Sequence, residues 1–464
     1  MNFRAATASA AAGVCAALSF APLEYWWLMF PALAAFFALA LRAKNRAAAA
    51  VCGFAFGLAY FGCGLHWIFG ALNGYIGLPF IAAAAVFILL CAALSAYPAL
   101  VAAVSWRLGG AAFAAAWALG EWLRGQLFSG FPWLAVAYSQ PPETPVYGWL
   151  PLAGIAGANL ALALAAGIAA DFPREKKMRA AAALSLALIL IGGVLPNEWT
   201  RPAGKIKVSL LQGNVAQELK WRAGEVEKAM ADYLRMARAS SGRWIILPET
   251  ALPLRRRDLP ETYRAALREI AEEREGAVIA GMFTEDEGGL YNAAAVIGAP
   301  APAYHKRHLT PYGEYLPFAG VLRPLLLAAD IPYNSLAAGA PAAVAELPGG
   351  RAAFSICYED IFPGEWRARL PQAQILINIT NDGWFDGTAM PRQHLRMAQA
   401  RAAEFGRFLL RATNTGITAI ADHRGAVAAE LPPGEQGALH FEAELREGAT
   451  PFVRFGDAPA LIVS

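Results

Sequence analysis

Long apolar stretches separated by short polar connectors fill the first 198 residues and predict a bundle of membrane-spanning helices. A helix of about 20 apolar residues crosses a hydrocarbon core of about 30 Å, and several stretches reach or approach that length. We therefore expect a polytopic α-helical membrane bundle at 1–198. The seven predicted helices lie near residues 5–21, 24–41, 48–65, 76–105, 108–123, 148–170 and 179–196.

The pattern changes after residue 198, where short strand-like apolar runs begin to alternate with helical segments. Such alternation predicts a layered α/β sandwich, which we place at 199–450 as a globular domain. Pro196 and Pro202 favour a linker at 196–204. The predicted helices are 223–239, 260–274 and 391–404, and the predicted strands are 206–211, 244–247, 277–282, 293–297, 353–356, 375–379 and 417–420.

Charged residues divide the chain at the same place. Asp, Glu, Lys and Arg account for 16 of the first 200 residues and for 59 of the remaining 264. This division excludes a single soluble domain and a disordered chain, since the first half is far below the usual charged fraction. The formal net charge of +3 is too small to predict a nucleic-acid partner.

Basic residues in the connectors predict the orientation of the bundle. The alternate connectors, 65–75 and 124–147, hold one basic residue, Arg124. By the positive-inside rule the basic connectors are cytoplasmic, so seven crossings would leave residue 200 outside, which in a bacterium is the periplasm. The basic connectors contain Arg42, Lys44, Arg46, Arg107, Arg174, Lys176, Lys177 and Arg179.

Other interpretations of the apolar half stay open. Residues 1–21 could be a cleaved signal peptide with Arg4 as its charged region, although a second apolar run follows almost at once. The helices could belong to a transporter, but ionisable residues within the spans are scarce, and we interpret Glu121 and His66 as interfacial. The aromatic connectors 66–79 and 130–140 predict either an interfacial belt or a lipid-facing rim beneath the outer domain.

Three motifs at predicted strand ends carry candidate chemistry. Glu249 follows one strand in Leu-Pro-Glu-Thr-Ala, and Cys357 ends another in Ser-Ile-Cys-Tyr-Glu-Asp. Between them, the segment 304–314 offers Lys306 and Glu314. A cysteine attacks as its thiolate, a carboxylate can accept the thiol proton, and an ammonium group can stabilise the oxyanion of an acyl transfer.

Spacing alone does not bring these residues together. A lone cysteine after a strand is more often a small buried hydrophobe, and an exposed lysine or glutamate is more often a solvated charge. Cys357 is nevertheless the only cysteine of the globular part. An unpaired thiol in an oxidising compartment is a liability unless it is useful, which favours the catalytic interpretation.

At these motifs the sequence resembles the nitrilase superfamily, whose members carry a Glu-Lys-Cys triad on an αββα sandwich. Four motifs occur in family order: Pro-Glu-Thr-Ala, Lys-x-x-Leu-x-Pro-x-Gly-Glu, Ile-Cys-Tyr-Glu and Asn-Asp-Gly-Trp-Phe. Together with the preceding bundle, they resemble the apolipoprotein N-acyltransferases, which complete bacterial lipoprotein maturation. The resemblance covers nearly the whole chain.

The resemblance implies a role for each matching residue. Glu249 would be the general base, Lys306 would stabilise the oxyanion, and Cys357 would carry the acyl group as a thioester. A second group would support the triad or bind substrate: Glu314, Tyr358, Glu359, the loop residue Trp221 and Asn292. No cofactor is implied, and no metal site is expected, because the six histidines do not form ligand pairs.

The resemblance also implies the substrates. An acyl chain would pass from a phospholipid, most simply phosphatidylethanolamine, to the α-amine of the S-diacylglyceryl cysteine of an apolipoprotein. A membrane-tethered amidase or nitrilase acting on a small carbon–nitrogen substrate is the first alternative, and a transporter or scaffold with a silent outer domain is the second.

The C-terminal segment departs from the family pattern. Members of the family usually cross the membrane again after the outer domain. Here the apolar run 459–464 is far too short to span about 30 Å. We therefore expect 451–464 to be the start of a truncated membrane segment.

Overall fold

The computed structural model describes residues 3–171, 176–196, 198–320, 323–324, 335–341 and 343–464. The chain forms two compact units. A helical unit comprises Met1–Trp199, Gly387–Phe405 and Ala449–Ser464, and a sheet unit comprises Thr200–Asp386 and Gly406–Gly448. Arg174, one of the basic residues used to predict the orientation, lies outside the described residues.

Each of the seven predicted spans contains a helix. Among the described residues, three helical stretches are long and apolar enough to cross a membrane, namely Arg46–Gly64, Phe80–Val104 and Pro145–Ala170. The helices of the first 199 residues are α1 Phe3–Ala17, α2 Met29–Leu41, α3 Arg46–Gly64, the short α4 His66–Gly70, α5 Phe80–Val104, α6 Gly110–Arg124, α7 Leu150–Ala170 and α8 Lys176–Ile191.

Among the described residues, three later helices also belong to the helical unit: α12 Met390–Phe405, α13 Pro451–Phe455 and α14 Ala458–Val463. Helix α12 follows most of the sheet strands in sequence, yet its buried polar side chains find their partners in the bundle. Glu404 accepts a hydrogen bond from the backbone nitrogen of Ile155 at 2.7 Å, just after the break in α7 at Gly154. An otherwise unpaired backbone donor in an apolar setting is thereby satisfied.

The aromatic connectors contribute to the interior of this unit. Trp67 and Trp133 are buried, and both indole nitrogens donate to the side-chain oxygen of Gln393, at 3.1 and 2.8 Å. Because both rings are buried within the protein, these two residues form neither an interfacial belt nor a lipid-facing rim. Glu121, interpreted from the sequence as interfacial, is also buried and accepts a hydrogen bond from the backbone of Val136 at 3.1 Å.

The described part of the sheet unit contains β1 Thr200–Gln212, β2 Trp244–Ile246, β3 Ala277–Asp286, β4 Gly289–Ile297, β5 Tyr304–His305, β6 Ala345–Leu347, β7 Gly350–Ile356, β8 Ile375–Thr380, β9 Leu409–Thr413, β10 Ala419–Ala421, β11 Val427–Glu430 and β12 Gly437–Gly448. These strands form two six-stranded sheets, with orders β12-β1-β2-β3-β4-β5 and β11-β10-β9-β8-β7-β6. Strands β1–β2–β3 and β7–β8–β9 run parallel, and the flanking pairs are antiparallel.

The two sheets pack face to face around an apolar core that includes Trp244, Phe354 and Ile377. Helices α9 Ala223–Ala239 and α10 Glu261–Glu273 cover the outer face of the first sheet, and the short α11 Pro363–Arg367 follows β7. Helix α10 has an apolar stripe at helical spacing, with Tyr263 and Leu267 buried. The predicted fold class, a helical bundle with a nitrilase-like α/β sandwich, is confirmed.

The structure also corrects some predicted elements. Residues 200–204 belong to β1 and pair with β12, so the predicted linker at 196–204 ends before them. The predicted strand 417–420 is displaced to Ala419–Ala421. Strands β5, β6, β9, β11 and β12 have no counterpart in the sequence prediction.

Candidate active site

Glu249 lies in a turn just beyond β2, at the carboxyl end of the parallel strands. The turn packs directly on Gly281 of β3, where an added Cβ would come within 2.2 Å of the carbonyl oxygen of Pro248. Leu252 donates from its backbone nitrogen to Gly281 O at 3.1 Å, and Thr250 adopts a φ of 46°. Glycine at 281 is therefore required for the turn to hold the Glu249 carboxylate in its buried position.

Lys306 follows β5 and is 1% exposed. Its Nζ atom lies 2.8 Å from Oε2 of Glu314 and 3.6 Å from Oε1 of Glu249. Asn292 of β4 joins the same two carboxylates, because its Nδ2 donates to Glu249 at 2.7 Å and to Glu314 at 2.9 Å. One connected group of ion pairs and hydrogen bonds therefore contains four predicted residues, namely Glu249, Lys306, Asn292 and Glu314.

Cys357 directly follows β7 and adopts a φ of 53°, a left-handed conformation that turns the chain sharply away from the strand. The residue is half-buried. Asn378 of the neighbouring β8 donates from Nδ2 to the carbonyl oxygen of Cys357 at 3.3 Å. A strained turn at a strand end, fixed by its neighbour, is a typical way of presenting a nucleophile.

Glu359 connects the cysteine turn to the lysine segment. Its fully buried carboxylate accepts hydrogen bonds from the backbone nitrogens of Ile356 at 2.7 Å and of Arg307 at 2.7 Å. The Tyr304 hydroxyl donates to both carboxylate oxygens at 3.0 Å. This clamp fixes the residues on either side of Lys306 to the turn that carries Cys357.

The charges of the site act on the thiol in opposite directions. Burial raises the pKa of Cys357 well above its usual value, Glu249 raises it further, and Lys306 lowers it. Both groups are therefore close enough to Cys357 to influence its ionisation. The resting cysteine is a thiol at neutral pH, so attack needs a base that removes the proton as the sulfur reacts.

Lys306 and Glu314 form the charged support of the site. Burial disfavours the ammonium group of Lys306, but Glu314 and Glu249 outweigh it and raise the pKa of Lys306. Burial likewise opposes ionisation of Glu314, but Lys306 and the hydrogen bond from Asn292 lower the pKa of Glu314 below its usual value. Lys306 and Glu314 therefore both stay charged at neutral pH. Glu249 lies farther from the Lys306 ammonium group than Glu314 does.

Two of the predicted substrate-binding residues pack against aromatic rings. Trp221 is 54% exposed, and its ring centroid lies 6.0 Å from that of Phe283. Tyr358 packs edge-on against Phe362, with ring centroids 5.1 Å apart.

Sequence reasoning missed a buried ionic network next to the cysteine turn. The guanidinium of Arg411 on β9 lies 2.9 Å from Asp360 and 3.0 Å from Asp382, and it donates to Asn378 at 2.8 Å. Asp382 belongs to the Asn-Asp-Gly-Trp-Phe motif, and that motif was the available signal. Lys220 was missed as well, because a lysine in a polar segment is indistinguishable from a solvated one until its burial is known.

Comparison with known proteins assigns the fold. A family described as carbon-nitrogen hydrolase matches residues 207–446, and one described as apolipoprotein N-acyltransferase N-terminal domain matches residues 12–168. Among solved structures, a carbon-nitrogen hydrolase from Helicobacter pylori G27 aligns with a TM-score of 0.37 and 14% identity, over 52% of this chain and 89% of that chain. That superposition is too loose to add to the assignment.

Two curated relatives cover almost the entire chain. The apolipoprotein N-acyltransferase of Nitrosomonas europaea is 38% identical, over 97% of this chain and 93% of that protein. The protein of the same name from Chromobacterium violaceum is 38% identical, over 98% and 91% respectively. The class is thus an enzyme with a carbon–nitrogen hydrolase domain and an apolar helical unit. The chain belongs to the apolipoprotein N-acyltransferase family.

Proposed function

We propose that this chain transfers an acyl chain from a phospholipid, through a thioester on Cys357, to the α-amine of the S-diacylglyceryl cysteine of an apolipoprotein. The observation that supports the proposal is the 3.6 Å contact between Lys306 and the buried Glu249, together with the opposite effects of these two groups on the pKa of Cys357. Family membership supports lipoprotein maturation as the reaction, and it does not favour hydrolysis of a small amide or nitrile.

In the first half-reaction, Glu249 takes the proton of the Cys357 thiol while the sulfur attacks the ester carbonyl carbon of the phospholipid. Lys306 stabilises the negative charge that develops on the carbonyl oxygen. The carbon–oxygen bond of the ester then breaks, and the glycerol oxygen leaves with the proton held by Glu249. The products are a lysophospholipid and an acyl thioester on Cys357.

In the second half-reaction, the α-amine of the apolipoprotein attacks the thioester carbonyl. Glu249 accepts a proton from the attacking nitrogen, and Lys306 again stabilises the oxyanion. The carbon–sulfur bond breaks, the sulfur regains a proton and an amide is formed. Two easier steps replace one direct transfer between a poor electrophile and a weakly nucleophilic amine.

The apolar helices favour lipids as the substrates of this chain. Both substrates carry acyl chains, and each buried CH₂ contributes about 0.8 kcal/mol to binding. Phosphatidylethanolamine is our proposed donor. The basic connectors between the first helices support an inner-membrane protein with the sheet unit on the periplasmic side. Asn292, Glu314 and Glu359 are proposed as supporting residues, and Trp221 and Tyr358 as substrate contacts.

The decisive test is mass spectrometry of the full chain after incubation with a phosphatidylethanolamine of defined acyl chains. We expect one acyl adduct, on Cys357, that hydroxylamine removes. Cys357→Ser should form no adduct at a comparable rate, because an alkoxide is much harder to generate than a thiolate. An adduct on another residue, or an unmodified protein beside accumulating free fatty acid, would contradict the proposal.

A further inference from the structure

Lys220 is a second buried lysine next to the triad, and the two half-reactions above do not use it. It lies in the segment between β1 and α9, immediately before Trp221, and is 4% exposed. Its Nζ donates to the backbone carbonyl oxygen of Glu249 at 3.2 Å and to the hydroxyl of Thr250 at 2.5 Å. Both of these acceptors belong to the turn that carries the general base.

The turn that Lys220 holds is conformationally demanding. Thr250 adopts a φ of 46°, in the left-handed region that β-branched residues rarely enter. The turn packs against Gly281. Lys220 donates hydrogen bonds to the carbonyl oxygen of Glu249 and the hydroxyl of Thr250 within the turn. A strained conformation persists only when its surroundings fix it, and Lys220 is a major part of these surroundings.

We propose that Lys220 is a positioning residue for acyl transfer: its ammonium group fixes the Glu249–Thr250 turn and places a second positive charge beside Glu249 and Cys357. Lys306 bonds to carboxylate side chains, whereas Lys220 bonds to the backbone of the base. The proposal rests on the proposed function, because it assigns Lys220 to the first half-reaction at Cys357.

The charge of Lys220 is sensitive to pH near neutrality. Burial lowers the pKa of Lys220 to about 8, against the opposing effects of Glu249 from the turn after β2 and of Cys357 at the end of β7. Below this pH the ammonium group favours the carboxylate and the developing thiolate. Above it the neutral amine loses that effect, so the acylation rate should fall on the alkaline side of about pH 8.

The test measures the rate of acyl-adduct formation on Cys357 from phosphatidylethanolamine micelles, with the full chain, as a function of pH. Lys220→Met should lower the rate at pH 7 about ten- to hundredfold, the usual cost of a hydrogen bond from a charged group. It should also abolish the alkaline fall. Lys220→Arg should move that fall to higher pH, because a guanidinium stays charged.

Two further variants separate positioning from folding. Lys228→Met is the matched control, since Lys228 is an exposed lysine of α9, and it should leave rate and pH profile unchanged. Thr250→Val removes one acceptor but no charge, so it should lower the rate without moving the alkaline fall. Melting temperatures identify any variant that does not fold. If the Lys220 variants do not fold, the test depends on Thr250→Val. A wild-type rate of acyl-adduct formation in Thr250→Val would then overturn the proposal.

The possible failures are distinguishable. A wild-type protein without any adduct on Cys357 would overturn the proposed function itself. An adduct that forms normally in the wild type and at the same rate and pH dependence in folded Lys220→Met would overturn only the role of Lys220. A reduced rate in Lys220→Met that keeps the wild-type alkaline fall would show a purely structural lysine and would also overturn it.

Discussion

At the scale of single residues, two carboxylates make different contacts with Lys306, and we propose a different task for each. Glu314 lies 2.8 Å from the Lys306 ammonium and accepts a hydrogen bond from the backbone of Thr310, so its charge is firmly held. Glu249 lies 3.6 Å from the same ammonium. In the proposed mechanism, this looser contact lets Glu249 take a proton, while Glu314 keeps the lysine charged.

Glu249→Gln should change two reactions of the Cys357 thiol in opposite directions. Glu249 raises the pKa of Cys357, after the larger effect of burial, so Glu249→Gln should lower that pKa. Iodoacetamide, which needs only a thiolate, should then alkylate Cys357 faster at pH 7. Acylation by phospholipid should become much slower, by about 10²-fold or more, because the base has been removed.

Lys306→Ala gives the complementary result. Lys306 lowers the pKa of Cys357, so its removal should slow both alkylation and acylation. Lys205→Ala is the control, because Lys205 is an exposed lysine of β1 paired with Glu442. Peptide-level mass spectrometry reports on Cys357 apart from the other cysteines. Slower alkylation in Glu249→Gln, or unchanged alkylation in Lys306→Ala, would contradict the assigned electrostatics.

At the scale of elements, the carboxyl ends of the parallel strands assemble the chemistry. The proposed base Glu249 follows β2, the proposed nucleophile Cys357 follows β7, and Asp382 follows β8. Ligands and catalytic groups commonly gather at this edge of a parallel sheet, where turns can vary without disturbing the core. The distance between the two sheets is fixed by their common apolar core, which includes Ile246 and Ile356.

Gly281→Ala tests how strictly β3 controls the base. The added methyl group would meet the backbone of Pro248, Glu249 and Thr250 within 2.7 Å, and a backbone cannot move aside as a side chain can. We expect a stability loss of about 1–3 kcal/mol and a larger loss of acylation. Gly364→Ala is the control, because no atom lies within 4 Å of its added Cβ. Equal behaviour of the two variants in melting and acylation assays would contradict this account.

Much of this arrangement could be predicted from the sequence, and the missed parts have different causes. Apolar runs predicted β2 and β8, because both are buried on both faces. Strand β12 was missed although its residues 439–446 alternate between apolar and polar, which is the pattern of a strand with one buried face. The motifs identified Glu249, Lys306 and Cys357, whereas Lys220 and Arg411 are recognisable only by their burial among acceptors.

At the scale of the whole chain, sequence order and compact units do not coincide. Helix α12 was predicted as a helix of the globular domain, because an amphipathic pattern does not reveal which partner covers its apolar side. In the structure its buried side chains belong to the helical unit, where Arg401 donates to the Tyr138 hydroxyl at 3.0 Å. Gln393 on the same helix bonds to both buried tryptophans of the connectors.

Gln393→Leu tests this membership. The substitution would leave the indole nitrogens of Trp67 and Trp133 without their acceptor, and the carbonyls of Ala21 and Gly64 without their donor. Each buried unpaired group costs about 1–3 kcal/mol, so the melting temperature of the full chain in detergent should fall by several degrees. Gln372→Leu, at an exposed site of the sheet unit, should have little effect. Equal melting of both variants would contradict the assignment of α12.

A pulse–chase measurement tests whether Cys357 passes an acyl group from lipid to lipoprotein. The full chain is first charged with a phospholipid labelled in its acyl chain, then freed of donor and mixed with a diacylglyceryl-cysteine peptide. We expect the label to leave Cys357 and to appear on the peptide amine in equal amount, at the same rate. Label that stays on Cys357, or that is released only as free fatty acid, would contradict the proposed transfer.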